Sequence, residues 1–188
     1  MSLFHKFQKG KNQKMQTAKH FDHELLEIVR IVSFDDEEIL ESAQNCINHT
    51  MEYYQDHTMD YEERGLSSEE EKTFLQWIGC IDLLIGKNYV CECDWKETMD
   101  EFVSQVSALQ GMRLLSLKIN SKWFDEEEDI PKWCEALDEK WKKSKSIAAA
   151  FDIDSDSYVI FLCKKADIET LSVLAEKFGY RIDYAKNM

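Results

Sequence analysis

Apolar residues recur at helical spacing as far as Gly86, and beyond it short strand-like runs alternate with helical stretches. That change of rhythm constrains the chain more than any other feature. A period near 3.6 buries one stripe of a helix, whereas a short run of β-branched and aromatic residues between turn signals builds a strand. A chain that switches between the two in this way is α+β: an N-terminal helical segment, then a mixed β-sheet with helices on a face.

In the first part, Leu25, Leu26, Ile28, Val29 and Val32 mark an amphipathic helix over 22–33. Asp35 or Asp36 can cap the next helix, and the stripe Leu40, Ala43, Ile47, Thr50, Tyr54, His57, Tyr61 predicts one continuous helix to about Glu63. Gly65 stops it, and Ser67 or Ser68 starts a third helix with Phe74, Trp77, Ile78 and Ile81 inward. His49-Thr-Met-Glu-Tyr53 and His57-Thr-Met-Asp-Tyr61 echo each other at a period of eight. Eight residues put the copies about 80° apart on a helix, which reads as chance or local duplication.

The second part reads as a strand at Tyr89–Cys93, a helix over 96–109, a strand over 113–119 and a helix through Trp133, Leu137 and Trp141. Asp129 and Pro131 are start signals for that helix. Residues 147–151 and 158–163 form a hairpin across an Asp/Ser-rich turn, followed by a helix from Asp167 to Phe178 and a strand at Tyr180–Tyr184. From residue 113 the order is β-α-β-β-α-β, the split order of ferredoxin-like domains. The expected division is a basic flexible tail over 1–20, a helical extension over 21–73 and an α+β domain over 74–188.

Acidic residues outnumber basic ones 37 to 23, a net charge of −14. Lys6, Lys9, Lys11, Lys14 and Lys19 gather in the first twenty residues, while Arg30 and Arg64 are the only bases between 22 and 71. Such a chain repels phosphate, so nucleic-acid binding by the folded part is disfavoured and a basic protein partner is the expected kind. The six cysteines fall largely in apolar runs, where a free thiol packs as a small hydrophobe. No apolar core of a secretory signal follows the lysines. The longest apolar stretch, Trp77–Gly86, is too short to span a bilayer and holds Asp82. The expectation is a cytoplasmic protein without structural disulfides and without membrane contact.

No motif assigns catalysis: the chain has no G-x-S-x-G, P-loop, G-x-G-x-x-G or H-E-x-x-H, so no catalytic residue and no cofactor is named. His49, Glu52, Asp56 and Asp60 read as a solvated face, and Cys91 with Cys93 as a packed strand, because neither set reaches a usual ligand constellation. Asp152, Asp154 and Asp156 resemble the first half of a calcium loop, but Ser157 stands where its glycine belongs and Cys163 where its glutamate belongs. They are the candidate metal residues, against a hairpin turn that bonds its own backbone. Trp95, Trp123, Trp133 and Trp141 are expected in the core, although Trp95 and Trp123 stand at element junctions, where an exposed ring anchors interfaces.

Glu92-Cys93-Asp94-Trp95-Lys96, Trp133 and Asp154-Ser155-Asp156-Ser157-Tyr158-Val159 carry a resemblance. On these motifs, residues from about 74 to 184 resemble a bacterial family, domain of unknown function 6630. The resemblance implies no activity. It does single out Asp94, Trp95, Lys96, Asp156 and Tyr158 as candidate ligand-binding residues, since polar groups at two motif sites can face one cleft. Three functions follow as expectations. The first is a non-enzymatic interaction module with an acidic surface, an immunity protein against a basic toxin being one version. The second is a small-ligand or enzymatic domain using Asp94, Lys96, Asp156 and Tyr158. The third is a cation-binding hairpin.

Overall fold

The computed structural model describes residues 23–188, so the expected basic tail over 1–20 lies outside the described residues. Helix α1 covers 23–32 and is followed by α2 (Glu37–Asn48), α3 (Thr50–Asp56) and α4 (Thr58–Glu63). The expected continuous helix is therefore broken twice, at His49 and His57. The two histidines share one backbone conformation, φ −123° and ψ 42° against φ −120° and ψ 27°. After each break a threonine hydroxyl donates back into the preceding turn. Thr50 reaches the carbonyls of Cys46 and Ile47 at 2.9 and 3.1 Å, and Thr58 those of Tyr54 and Gln55 at 3.1 and 3.0 Å. Back-bonding of this kind loosens a helix. Each break absorbs the overshoot of eight residues, so Tyr53 and Tyr61 both face the core while Met51 and Met59 both face solvent. The echo is a repeated piece of local structure.

Helix α5 (Lys72–Gly86) leads into β1 (Val90–Asp94), then α6 (Met99–Ala108), α7 (Gln110–Leu114) and α8 (Ile130–Lys140). Thr98 and Glu101 form a capping box on α6, and Asp129 caps α8 with Pro131 in its first turn. The chain closes with β2 (Ser146–Phe151), β3 (Ser157–Lys164), α9 (Ile168–Phe178) and β4 (Ile182–Tyr184).

The strand expected over 113–119 does not form. Helix α7 occupies its start and closes with Ser116 in the left-handed region (φ 54°), the Leu117 N–H reaching back to the Met112 carbonyl at 2.8 Å. A glycine usually marks such a stop, and serine hides it. The segment lies on the sheet instead of beside it: a Cβ on Gly111 would stand 2.8 Å from the Leu162 Cβ. Indole N–H groups pin the connection that follows, Trp141 to the Lys118 carbonyl at 2.8 Å and Trp133 to the Asp125 carbonyl at 2.7 Å.

The sheet runs β1-β3-β2-β4 and every pairing is antiparallel, which corrects the expected mixed sheet. The ferredoxin-like order is corrected too. The β-α-β-β-α-β succession starts at β1, and β4 pairs with β2 instead of returning beside β1. Both crossovers, β1 to β2 and β3 to β4, step two places the same way along the sheet from oppositely directed strands. Crossovers of one hand must then lie on opposite faces. The burial pattern agrees. Cys91, Cys93, Ala148, Ala150, Ile160 and Leu162 pack with Phe102 of α6 and with Trp133 and Leu137 of α8. Val90, Ala149, Phe151, Phe161 and Ile182 pack on the other face with α5 and α9. That second core reaches back to Leu25, Ile39 and Tyr61, so the first helices and the sheet share it.

Candidate functional site

The β2–β3 turn over 152–156 is built from the residues the sequence singled out, and it stands between two clefts. Asp152 Oδ1 accepts from the Asp154 N–H at 3.0 Å, and Ser155 Oγ accepts from the Ser157 N–H at 3.2 Å. Asp and Ser hold the turn by bonding its backbone, and Asp154 takes the left-handed conformation, φ 57°. From below, the Trp77 indole donates to the Asp152 carbonyl at 3.0 Å, and its ring stacks on Tyr180 with centroids 4.8 Å apart. From the side, the Asp152 N–H donates to the Arg181 carbonyl at 3.0 Å.

One cleft, about 460 Å³, lies between the turn and the end of α4. Leu66, Phe74, Ile78 and Ile153 line it with the carboxylates of Glu63, Glu92 and Asp154 and the guanidinium of Arg64. Arg64 is placed by the stop of α4. Gly65 (φ 74°) turns the chain, the Leu66 N–H bonds the Tyr61 carbonyl at 2.9 Å and the Gly65 N–H that of Glu62 at 2.9 Å. Tyr61 in turn donates to the Leu75 carbonyl at 2.8 Å and fixes α4 on α5.

The Arg64 guanidinium bridges α5 and β1. Nη2 lies 2.6 Å from Asp82 Oδ1 and 2.7 Å from Glu92 Oε2, while Nε and Nη1 make further bonds to Asp82 and Glu92. Burial disfavours the Arg64 charge, but the hydrogen bonds to Glu92 and Asp82 outweigh it and hold the group further above its ordinary value. Burial raises Asp82, with Arg64 opposing the rise. Arg64, Asp82 and Glu92 thus satisfy one another, and their role is to clamp α4, α5 and β1.

The pattern of the family described as Domain of unknown function (DUF6630) matches residues 24–185. The chain belongs to the DUF6630 family. The match extends the resemblance, first visible from residue 74, back through the helices that share the sheet's core. No curated protein and no solved structure matches the chain.

Within this DUF6630 domain the candidate residues divide. Asp156 and Tyr158 line the second cleft, about 230 Å³, with Arg181 and Ser157. Arg181 is engaged there, its Nη2 donating to Asp183 at 3.0 Å and to the Asn187 carbonyl at 2.9 Å. Tyr158 packs against the α6–α8 face, and burial raises its hydroxyl above the ordinary value. Asp94 pairs across the sheet with Ser157 but, two places from Glu92, belongs to the opposite face from Tyr158. Its Oδ1 accepts from the Lys96 N–H at 2.8 Å, so it shapes the turn before α6 and leaves the cap to Thr98. Trp95, expected in the core, is 54% exposed, with the Lys96 ammonium 4.7 Å from its ring centroid.

Asp152, Asp154 and Asp156 do not converge: among the described residues no three His, Cys, Asp or Glu side chains form a metal-holding group. Cys91 and Cys93 share a face with sulfurs 4.0 Å apart, buried like the other four free cysteines. No described helix is long and apolar enough to cross a membrane. Sequence reasoning missed the Arg64 cluster, although Arg64 is one of two bases in its block and Asp82 the lone charge of an apolar run.

Proposed function

We propose that this DUF6630 protein is a non-enzymatic recognition module for a basic protein, whose 460 Å³ cleft takes one Arg or Lys side chain of the partner. The observation that carries this reading is the lining, carboxylates above an apolar floor. Arginine and lysine are aliphatic stems that end in a cation. Leu66, Phe74, Ile78 and Ile153 suit the stem, and Glu63 and Asp154, which have no ion-pair partner among the described residues, suit the head. Arg64, the cation beside them, is neutralised by Asp82 and Glu92 and leaves the cleft negative. The surplus of acids in the whole chain would steer such a partner at long range. Neutralising a basic toxin is one form of this function.

The test is an amide-shift titration with a short peptide bearing one central arginine, run beside the same peptide with citrulline. The arginine peptide is expected to shift the amides of Phe74 and of 153–157. The Glu63→Lys, Asp154→Lys double variant is expected to abolish that response. Equal responses to both peptides, or shifts elsewhere, would sink the reading. A small-ligand or enzymatic site has weaker support: Asp156 and Tyr158 share a cleft, whereas Asp94 and Lys96 do not line it.

A further inference from the structure

At the other end of β2 and β3 lies a cleft of opposite character. It measures about 720 Å³ and is lined by Lys145, Lys164 and Lys165 with Leu114 and Leu115. In a chain of net charge −14, three lysines lining one concavity are a local reversal of sign. Ser146 pairs with Lys164 across the sheet, and the Lys165 N–H bonds the Lys145 carbonyl at 2.8 Å, so the three lysines are brought together by the backbone.

None of the three has an ion-pair partner among the described residues. The carboxylates whose charge Lys165 feels, Asp138 and Glu139, are paired with Lys186 at 2.9 Å and Lys142 at 2.7 Å. Asp167, just beyond Ala166, leaves a local excess of positive charge. Lys145 is also held in the left-handed region, φ 55°, a conformation unfavourable for residues with side chains and concentrated at functional sites. The hydroxyls of Ser144 and Ser146 donate to the carbonyls of Trp141 and Ser144, which leaves the three lysines as the lining side chains with uncommitted donors.

The geometry points to a binding site for a small organic phosphate. A phosphate monoester carries close to two charges and several strong acceptors, which three ammonium groups match better than a single carboxylate would. Leu115 and the exposed Leu114 give an apolar wall for the organic part. The cleft is in the size range of small-molecule sites. A polyanion or an anionic bilayer would bring an extended negative surface against the acidic remainder of the molecule, whereas a small ligand meets only the local charge. This site does not rest on recognition of a basic partner, because the two clefts lie at opposite ends of the same strands.

The experiment is an amide-shift titration of the full chain with inorganic pyrophosphate and with adenosine monophosphate, at constant ionic strength against a chloride control. Saturable shifts are expected at 114–115, 144–146 and 164–166 with adenosine monophosphate at least as tight as pyrophosphate. The Lys145→Gln, Lys164→Gln, Lys165→Gln triple variant, altered only at exposed side chains, is expected to keep the wild-type melting temperature and bind at least about tenfold more weakly, the scale of one lost charge-assisted hydrogen bond. Linear shifts equal to those with chloride would overturn the site, as would unchanged affinity in the variant. Binding of phosphatidylserine vesicles or of a single-stranded oligonucleotide at these residues, with no response to the small phosphates, would overturn the ligand class.

Discussion

Tyr89 and Asp36 join the residue before β1 to the residue that caps α2, hydroxyl to carboxylate at 2.7 Å. Asp36 also accepts from the N–H groups of Glu38 and Ile39. The Tyr89 hydrogen bond is the first cause that holds Asp36 below its ordinary 3.8, and burial with that same bond pushes Tyr89 up to about 12. A lowered carboxylate contributes stability above its unfolded value and loses it as pH falls through the folded one. A raised tyrosine contributes below its unfolded value and loses it as pH climbs through the folded one. Tyr89→Phe is therefore expected to cost about 1–2 kcal/mol at neutral pH. The deficit should shrink in acid and again towards strongly alkaline pH, as read by denaturant unfolding across the range; a pH-independent deficit would mean that this hydrogen bond is not the coupling. Neither member of the pair was visible as a pair, because 53 positions separate them. The Arg64 cluster was hidden for the same reason. Each member carried a local oddity, an isolated base, a charge in an apolar run, a glutamate between two cysteines, and only the fold puts them in contact.

Helix stops show where local signals work and where they fail. Gly65 and Gly179 end α4 and α9 in the left-handed region, and both were legible because glycine advertises that conformation. Asn88 and Ser116 close α5 and α7 in the same way, φ 58° and 54°; the end of α5 near Gly86 was legible from its apolar stripe, whereas the stop at Ser116 was not. The lost signal at Ser116 turned α7 and its exit into an expected strand. Because Leu117 already makes the closing hydrogen bond, Ser116→Gly is expected to leave the fold intact and to stabilise it by up to about 1 kcal/mol, as relief of left-handed strain outweighs the entropy of glycine. Gly65→Ala, with open space around the added methyl, should destabilise by about 1 kcal/mol for the mirrored reason. Thermal melts of the two variants, moving in opposite directions, check the pair. The twin breaks at His49 and His57 were half legible: the echo was plain, but a period of eight does not by itself reveal that the helix is re-phased at each copy.

At the scale of the molecule, the α+β class and the hairpin were legible because periodicity reports which face of an element is buried. Strand order was not, because it depends on which face each crossover takes. Coverage of both faces explains the Ala148-Ala149-Ala150 run in β2, where helices and sheet approach closely and no side-chain area is exposed. Ala149→Leu is expected to cost about 1–3 kcal/mol by overpacking the α5 face, measured as a shift in the denaturant midpoint. An unchanged midpoint would mean that the layers can part.

Charge is also arranged along the strands. β2 and β3 run between an end that carries Lys145, Lys164 and Lys165 and an end that carries Asp152, Asp154 and Asp156. These opposite charges contribute a dipole component along the strand axis, in addition to the net charge. In the field of an approaching cation such a body experiences a torque before any contact is made. The contribution of these six charges favours the aspartate end forward and the lysine end away, a bias that acts at a distance and so ahead of any contact.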